Sequence, residues 1–122
     1  MISLEDFKKV HIAVGQILSA EKVPDTDKLL RLSVDFGLAF NVFPDGTKEE
    51  RKDVRQIISG ISVHFPNTSA LFGKKCMFVV NLEPRIVRGL ESNGMILALS
   101  APDGKFSLLE PTNDIPIGTR AQ

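Results

Sequence analysis

The sequence predicts a mainly β domain, built as a small antiparallel barrel, and three observations support this fold class. Apolar and polar residues alternate with a period of two in several segments, as they do in half-buried strands. Clusters of Pro, Asp and Gly separate these segments at short intervals, as turns would. Helical signals are limited to two short stretches. A chain of 122 residues can bury one core, so a single domain over residues 1–122 is expected.

The first half of the chain predicts a short N-terminal helix and two strands. Ser3 is a helix cap, because its side chain can accept from the first turn and two carboxylates follow it. The strands are Val10–Val23 and Leu30–Phe36, and a turn at Pro24–Asp27 separates them. Gly15 is a candidate bend or bulge in the first strand.

A charged segment at residues 44–53 is predicted to be an exposed loop or an insertion. It begins with turn-forming residues and then has almost no apolar content. From Asp45 to Arg55 its charges balance, with four basic and four acidic side chains. Such a segment can contact a ligand, shield a sheet edge, or do neither.

The second half of the chain predicts four more strands and a short helix. The predicted strands are Val54–Ile61, Lys75–Leu82, Met95–Leu99 and Phe106–Leu109. The helix, Thr68–Phe72, lies between the third and fourth strands. A helix at that place in a five-stranded antiparallel Greek-key barrel is the layout of the OB-fold, here with a C-terminal extension. Periodicity alone permits other small barrels.

Composition excludes several classes of protein. The single Cys cannot form an internal disulfide, which is typical of a reducing compartment. No apolar run approaches the roughly 18 residues of a membrane span, and the N-terminus lacks the apolar stretch of a signal peptide. We therefore expect a cytoplasmic protein with no membrane association. With 15 basic and 15 acidic residues the net charge is zero, which excludes a bulk electrostatic RNA binder.

Residues suited to catalysis or to metal binding are poorly represented, so we expect no enzyme activity, no metal and no cofactor. Cys76 opens an apolar run and is predicted to be an inert buried thiol, with a nucleophilic cysteine as the enzyme alternative. His11 and His64 have no partner at metal-ligand spacing. The chain has no glycine-rich phosphate loop.

The segment 81–95 carries the residues best suited to bind a ligand. It joins two apolar strands by more residues than a hairpin needs, and it contains two Arg, Asn, Ser and two Gly. Such residues suit a phosphate and ribose platform, with Arg for charge and planar hydrogen bonding and Gly for close approach. The alternative is a solvated loop whose arginines pair with Glu83 and Glu91.

Five ordered blocks of the sequence resemble one known family. They are Asp6-Phe7 with Val10 and Ile12; Asp27-Lys28-Leu29-Leu30-Arg31-Leu32 with Asp35-Phe36-Gly37; Ile58-Ser59-Gly60-Ile61; Asn81-Leu82-Glu83-Pro84-Arg85 with Arg88-Gly89 and Ser92-Asn93-Gly94-Met95; and Pro116-Ile117-Gly118. The chain resembles the tRNA-binding domain of methionyl-tRNA synthetase C-termini, free-standing tRNA-binding proteins, CsaA and the endothelial-monocyte-activating polypeptide.

The resemblance implies an OB-fold that forms a homodimer and binds folded tRNA by shape. Carried over by motif, the RNA-binding residues are Asn81, Arg85, Ser92 and Met95. Arg88 and Lys28 stand at matching positions that are often basic, and are added to the site. Met95 has a structural alternative, because a Met that opens an apolar strand is commonly a core residue.

The function implied is that of a non-catalytic tRNA-binding module which assists a methionyl-tRNA synthetase, either in cis or in trans. The alternative is a CsaA-like dimeric chaperone or protein-interaction module with an apolar groove. Of eight Phe residues, only Phe40 and Phe43 are predicted to lie in a loop and the rest at core positions. Without exposed rings for stacking, a reader of folded RNA is favoured over a single-strand binder.

Overall fold

A curled antiparallel sheet of five strands, in the order β3-β2-β1-β4-β7, forms the body of the computed structural model, which describes all residues 1–122. The fourth strand returns beside the first, which is the Greek-key order. These strands are β1 (Ile12–Lys22), β2 (Leu30–Val42), β3 (Lys48–Ser59), β4 (Lys75–Val79) and β7 (Met95–Ile96). The OB-like, mainly β fold is therefore confirmed.

Short elements complete the chain around this sheet. They are the helix α1 (Leu4–Phe7), the hairpin of β5 (Arg85–Val87) with β6 (Leu90–Ser92), and the hairpin of β8 (Ala98–Ser100) with β9 (Phe106–Leu108). The predicted helix between the third and fourth strands consists of two 3₁₀ turns, Ser62–His64 and Thr68–Leu71. None of the helices is long and apolar enough to span a membrane.

The core lies inside the curl of the sheet. Its fully buried side chains include Ile17, Leu30, Leu32, Ile57 and Phe78. These residues follow the period-two pattern of each strand, which places every second side chain on the inner face. Burial of this face is the main term that holds the curl closed.

The segment predicted as a loop at residues 44–53 is largely strand. The turn at Phe43–Thr47 joins two long strands, and residues 48–52 of β3 pair with 38–42 of β2. The prediction of exposure was correct, but the loop conformation was wrong for residues 48–53. Both faces of this arm (residues 38–53) meet solvent, so its sequence lacks the apolar alternation from which strands are predicted.

Strand β2 continues past Phe36, where the sequence predicted its end. A register shift lies between Asp35 and Leu38, and Gly37 adopts φ +92° within it. The Gly37 N–H donates to the Asp35 carboxylate at 2.8 Å. This β-bulge inserts one extra residue into β2, and the pairing with β3 resumes at Leu38.

Gly15 does not form the predicted bulge, because the shift in β1 lies between Ile17 and Ser19. At Gly15 the strand pairs regularly with Cys76 of β4. A Cβ at this position would stand 2.6 Å from side-chain carbons of both Phe36 and Val34. The residue is therefore a glycine for close packing rather than for bending.

The C-terminal extension lies along β1. The Gly118 N–H donates to the Val14 carbonyl at 2.7 Å, and the Val14 N–H donates to the Thr119 carbonyl at 2.9 Å. The extension thus supplies hydrogen-bond partners for the first residues of β1, on the edge where β2 does not pair with them.

Two of the phenylalanines predicted as core are exposed. Phe7 lies on the short helix α1, which buries none of its residues, and Phe72 follows the second 3₁₀ turn. Phe36 and Phe78 are buried as predicted and contact each other edge to face, with ring centroids 5.3 Å apart. The one-turn helix α1 and the short 3₁₀ turn before Phe72 have too little neighbouring structure to cover a large ring.

We predict that Gly15→Ala destabilises the fold by about 1–3 kcal/mol, because the added methyl overpacks the core against two neighbouring side chains. Denaturant unfolding midpoints measure this effect. Gly60→Ala is the matched control, since its Cβ would meet nothing within 4 Å and its φ is not positive. Equal stability of the two variants would contradict the close-packing role of Gly15.

We predict that the Cys76 thiol is inert in the folded protein. Its side chain is fully buried, and burial raises the pKa of this thiol from 9.0 to about 12. Between those two values the unfolded chain loses a proton that the folded chain keeps, so the free energy of unfolding falls as pH rises through the window. Thiol-reagent labelling at pH 8 should be slow in the native protein and fast in denaturant. Rapid native labelling would favour the nucleophilic alternative.

Candidate nucleic-acid interface

A projecting hairpin carries the segment that the sequence singled out. Residues 81–94, here named the recognition hairpin, leave the sheet after β4 and return at β7, with β5 and β6 between. Its two-residue tip is Arg88-Gly89, with φ +52° and +80°. Positive φ at both central residues is what a type I′ hairpin turn requires. A non-glycine residue there is strained, so the surrounding hairpin must impose this conformation on Arg88, which occupies the very tip.

The tip lies beside the turn that joins β1 to β2, and Arg88 borders a cleft on each side of it. The first cleft is lined by Asp25, Thr26, Asp27, Lys28, Leu29, Val87 and Arg88. The second cleft is lined by Glu21, Lys22, Val23, Pro24, Arg31, Arg88 and Leu90. Loops at these two places of an OB-fold border its oligonucleotide-binding face.

Three of the predicted site cations have no carboxylate partner. Lys28, Arg85 and Arg88 are exposed and form no ion pair. The alternative in which the arginines pair with Glu83 and Glu91 is therefore wrong. Unpaired guanidinium and ammonium groups retain their full hydrogen-bonding capacity for phosphate oxygens.

Two lysines where β4 begins form ion pairs with acidic residues of the C-terminal segment. Lys74 pairs with Glu110 at 3.3 Å, and Lys75 pairs with Asp114 at 2.7 Å. The bond from Lys75 lowers the pKa of the Asp114 carboxyl. Of the four basic residues between positions 74 and 92, the two without an ion pair are therefore Arg85 and Arg88 of the recognition hairpin, which also contains Glu83 and Glu91.

Ser92 is not available to a ligand, which corrects the residue carried over from the family motif. Its side chain is buried, and its Oγ accepts from the Ile58 N–H at 3.0 Å and donates to the Gly94 carbonyl at 3.2 Å. The hydroxyl thus replaces a main-chain carbonyl where β3 meets the returning hairpin. The residue positions the hairpin, and its hydroxyl is occupied by bonds within the protein.

Asn81 also has a structural task at the start of the recognition hairpin. Its Oδ1 accepts from the His11 N–H at 2.8 Å, and its Nδ2 donates to the Lys9 carbonyl at 2.7 Å. The side chain therefore fastens the N-terminal segment to the end of β4. It remains exposed, but both polar atoms already have main-chain partners.

Met95 lies at the start of β7 and is 41% exposed, so the core alternative for this residue is wrong. It pairs with Val79 of β4, and the next residue, Ile96, is buried. The strand therefore turns Ile96 inward and leaves Met95 on the outer face. Its apolar side chain is free to contact a ligand there.

Sequence reasoning missed three basic residues around the site. Lys22 and Arg31 line the second cleft, and Arg31 pairs with Glu21. Arg55 of β3 bonds to the carbonyls of Val80 and Asn93, at the two ends of the recognition hairpin. Strand alternation indicates that Lys22 and Arg31 face solvent. No sequence signal indicates their proximity to Arg88, because pairing across strands sets it.

The clefts contain neither aromatic rings nor a metal-binding cluster. No phenylalanine is among their lining residues. No group of three or more His, Cys, Asp or Glu residues in the structure could hold a metal ion. The site offers charge and directional hydrogen bonds, which suit phosphate and ribose better than stacked bases.

Comparison with known proteins identifies the family. The family model described as "Putative tRNA binding domain" matches residues 12–120. The chain is 44% identical over 119 residues to a methionine–tRNA ligase of Methanospirillum hungatei, covering 98% of this chain and 15% of that protein. It is 38% identical over 117 residues to the enzyme of Enterococcus faecalis, covering 96% of this chain and 16% of that protein. The chain spans about one sixth of the length of these relatives.

Solved structures of similar fold support the same family. The MetRS-related protein of Pyrococcus horikoshii matches with a TM-score of 0.79 and 35% identity, covering 100% of this chain and 98% of the other. The CsaA chaperone of Bacillus anthracis matches with a TM-score of 0.77 and 28% identity, covering 100% and 99%. Since a family model, sequence relatives and full-length structural matches coincide over nearly all residues, the chain belongs to the tRNA-binding domain family.

Proposed function

We propose that this domain binds folded tRNA through the recognition hairpin and the two clefts beside its tip. The observation that carries the proposal is that Arg88 at the hairpin tip and Lys28 line the same cleft, and that neither forms an ion pair. Arg85, at the start of β5 on the same hairpin, is also exposed and without an ion pair. Uncompensated cations on a net-neutral chain are suited to a phosphate backbone. Met95 adds an exposed apolar contact beside them.

Recognition by shape is favoured over stacking of single-stranded bases. The exposed rings of Phe40 and Phe43 lie on the arm, whereas the clefts have no ring. Sequence-tolerant single-strand binders usually place aromatic side chains along a basic groove. A rigid pair of cations and a projecting tip instead suits the fixed phosphate spacing of a folded RNA.

The domain acts without catalysing a reaction of its own, in the cytoplasm, as an accessory to an aminoacyl-tRNA synthetase. The relatives that contain a similar segment are methionine–tRNA ligases, which makes a methionyl-tRNA synthetase the preferred partner. A second weak contact raises the local concentration of tRNA near the catalytic domain, whether the two are joined or separate.

We predict that Arg85→Ala with Arg88→Ala weakens tRNA binding by about tenfold or more and lowers the slope of log affinity against log salt by about 2. Filter binding or anisotropy over 50–200 mM salt provides both values. Lys105→Ala is the control, since Lys105 is exposed but lines neither cleft and lies outside the N-terminal and C-terminal segments. An unstructured RNA of equal length should bind more weakly than tRNA. An unchanged salt slope in the double variant would contradict the proposed site.

One observation favours the chaperone alternative. The arm displays Leu38, Phe40 and Val42 on one face, all exposed, and CsaA chaperones have a similar fold. An apolar stripe can hold an extended peptide. Binding to an unfolded polypeptide with loss in Phe40→Ser, together with no binding to tRNA, would favour this alternative over the tRNA-binding proposal.

We further propose that the domain is a homodimer. The N-terminal segment exposes Ile2, Leu4, Phe7 and Val10 beside the C-terminal residues 120–122. The tail residues Ile115 and Ile117, from which the sequence predicted dimerisation, are half-buried within one chain. The N-terminal segment is therefore the better candidate for contact between copies. Two copies would join two weak tRNA sites into one stronger one.

We predict a mass of twice 13.4 kDa at micromolar concentration, measured by light scattering. Leu4→Ser with Phe7→Ser should shift the mass towards one chain, because it removes the exposed apolar contacts. Val63→Ser is the control, being equally exposed but outside the N-terminal segment. A wild-type mass of one chain would refute the dimer.

A further inference from the structure

One arginine joins the two ends of the recognition hairpin. Arg55 lies on β3, and its Nη1 donates to the Val80 carbonyl at 2.5 Å and to the Asn93 carbonyl at 3.3 Å. Val80 is the last residue before the hairpin, and Asn93 lies at its return. A single guanidinium nitrogen therefore bridges the point of departure and the point of return.

The guanidinium group is itself held in place from two other sides. Its Nε and Nη2 donate to the two oxygens of the Asp53 carboxylate at 2.9 and 3.1 Å. Its Cζ lies 5.2 Å from the centre of the Phe36 ring. Four of its five N–H groups are thus engaged within the protein. Only 26% of the side chain is exposed, so Arg55 is not presented to a ligand.

The neighbouring contacts along β3 cannot replace this bridge. The Gln56 side chain donates to the Glu91 carbonyl at 2.9 Å, and the Asn93 N–H donates to the Gln56 carbonyl at 2.9 Å. Ser92 adds its bond to the Ile58 N–H. All three hold only the returning strand. The departing end after β4 is held by Arg55, by the bonds of the Asn81 side chain to the N-terminal segment, and by the Val80 N–H, which donates to the His11 carbonyl at 2.8 Å.

We propose that Arg55 is a positioning residue for RNA binding, which holds the recognition hairpin in register so that Arg85 and Arg88 present one fixed phosphate-binding geometry. The inference rests on the proposed function of that hairpin. Arg55 contacts no RNA itself. Without it the hairpin is held less firmly in the free protein, and the additional conformational entropy lost on RNA binding lowers the affinity.

Arg55→Gln tests this proposal, with Arg51→Gln as the matched control. Arg51 lies on the same strand and has one long side-chain bond, to Asn41 at 3.4 Å. Hydrogen exchange should show at least about tenfold loss of protection at amides 85–93 in Arg55→Gln, with protection of β1 retained. Affinity for tRNA should fall by about tenfold with the salt slope unchanged, because the phosphate contacts persist but are no longer pre-organised. Arg51→Gln should change neither quantity.

Three results would overturn the proposal: an unchanged exchange rate at 85–93, equal loss of protection in the hairpin and in β1, or a salt slope lowered by about 1, which would mean that Arg55 contacts phosphate. If Arg55→Gln does not fold, Arg55→Lys replaces it, because lysine keeps the charge but lacks the planar guanidinium group. The losses of amide protection and of tRNA affinity should then have the same direction and be smaller. Hydrogen exchange needs no RNA. Failure of wild-type tRNA binding would therefore overturn the proposed function while the positioning of the hairpin is still measured.

Discussion

The seam where β3 meets residues 91–93 is the interaction on which the rest of the structure depends. It closes the curled sheet with a mixture of side-chain and main-chain bonds, in which the Ser92 hydroxyl takes the place of a carbonyl. Closing the curl through side chains lets the chain leave the sheet for the recognition hairpin and still return to β7.

The electrostatics follow from that arrangement. A chain with zero net charge binds a polyanion only if some of its cations are left without acidic partners on one surface. Here, ion pairs neutralise some basic residues and leave others free. Lys74 and Lys75 are neutralised by acidic groups of the C-terminal segment, whereas Arg85 and Arg88 form no ion pair with Glu83 or Glu91. The zero net charge therefore hides a small cationic tip, which agrees with a domain that adds affinity to a larger partner.

The period-two alternation was sufficient to predict β1 and the buried half of β2, because each of these strands has one face in the core, and β4 was predicted from its almost continuous apolar run. It failed for residues 48–53, where both faces meet solvent and only pairing with β2 makes a strand. Among the site residues, Lys28, Arg85 and Arg88 could be predicted as exposed cations. Ser92 was mistaken for a ligand contact, because a hydroxyl in a polar motif looks the same whether it faces solvent or replaces a carbonyl.

The amino-acid sequence by itself determined the fold class, the family and the segment that carries the candidate site. Local periodicity, turn residues and ordered motifs are properties of the sequence and can be identified without knowledge of tertiary contacts. Only the tertiary structure decided which polar side chains of that segment face outward and which bind it to the sheet. The division between Arg88 at the tip and Arg55 at the base depends on contacts 25 and 38 residues apart in sequence, and no local pattern encodes such contacts.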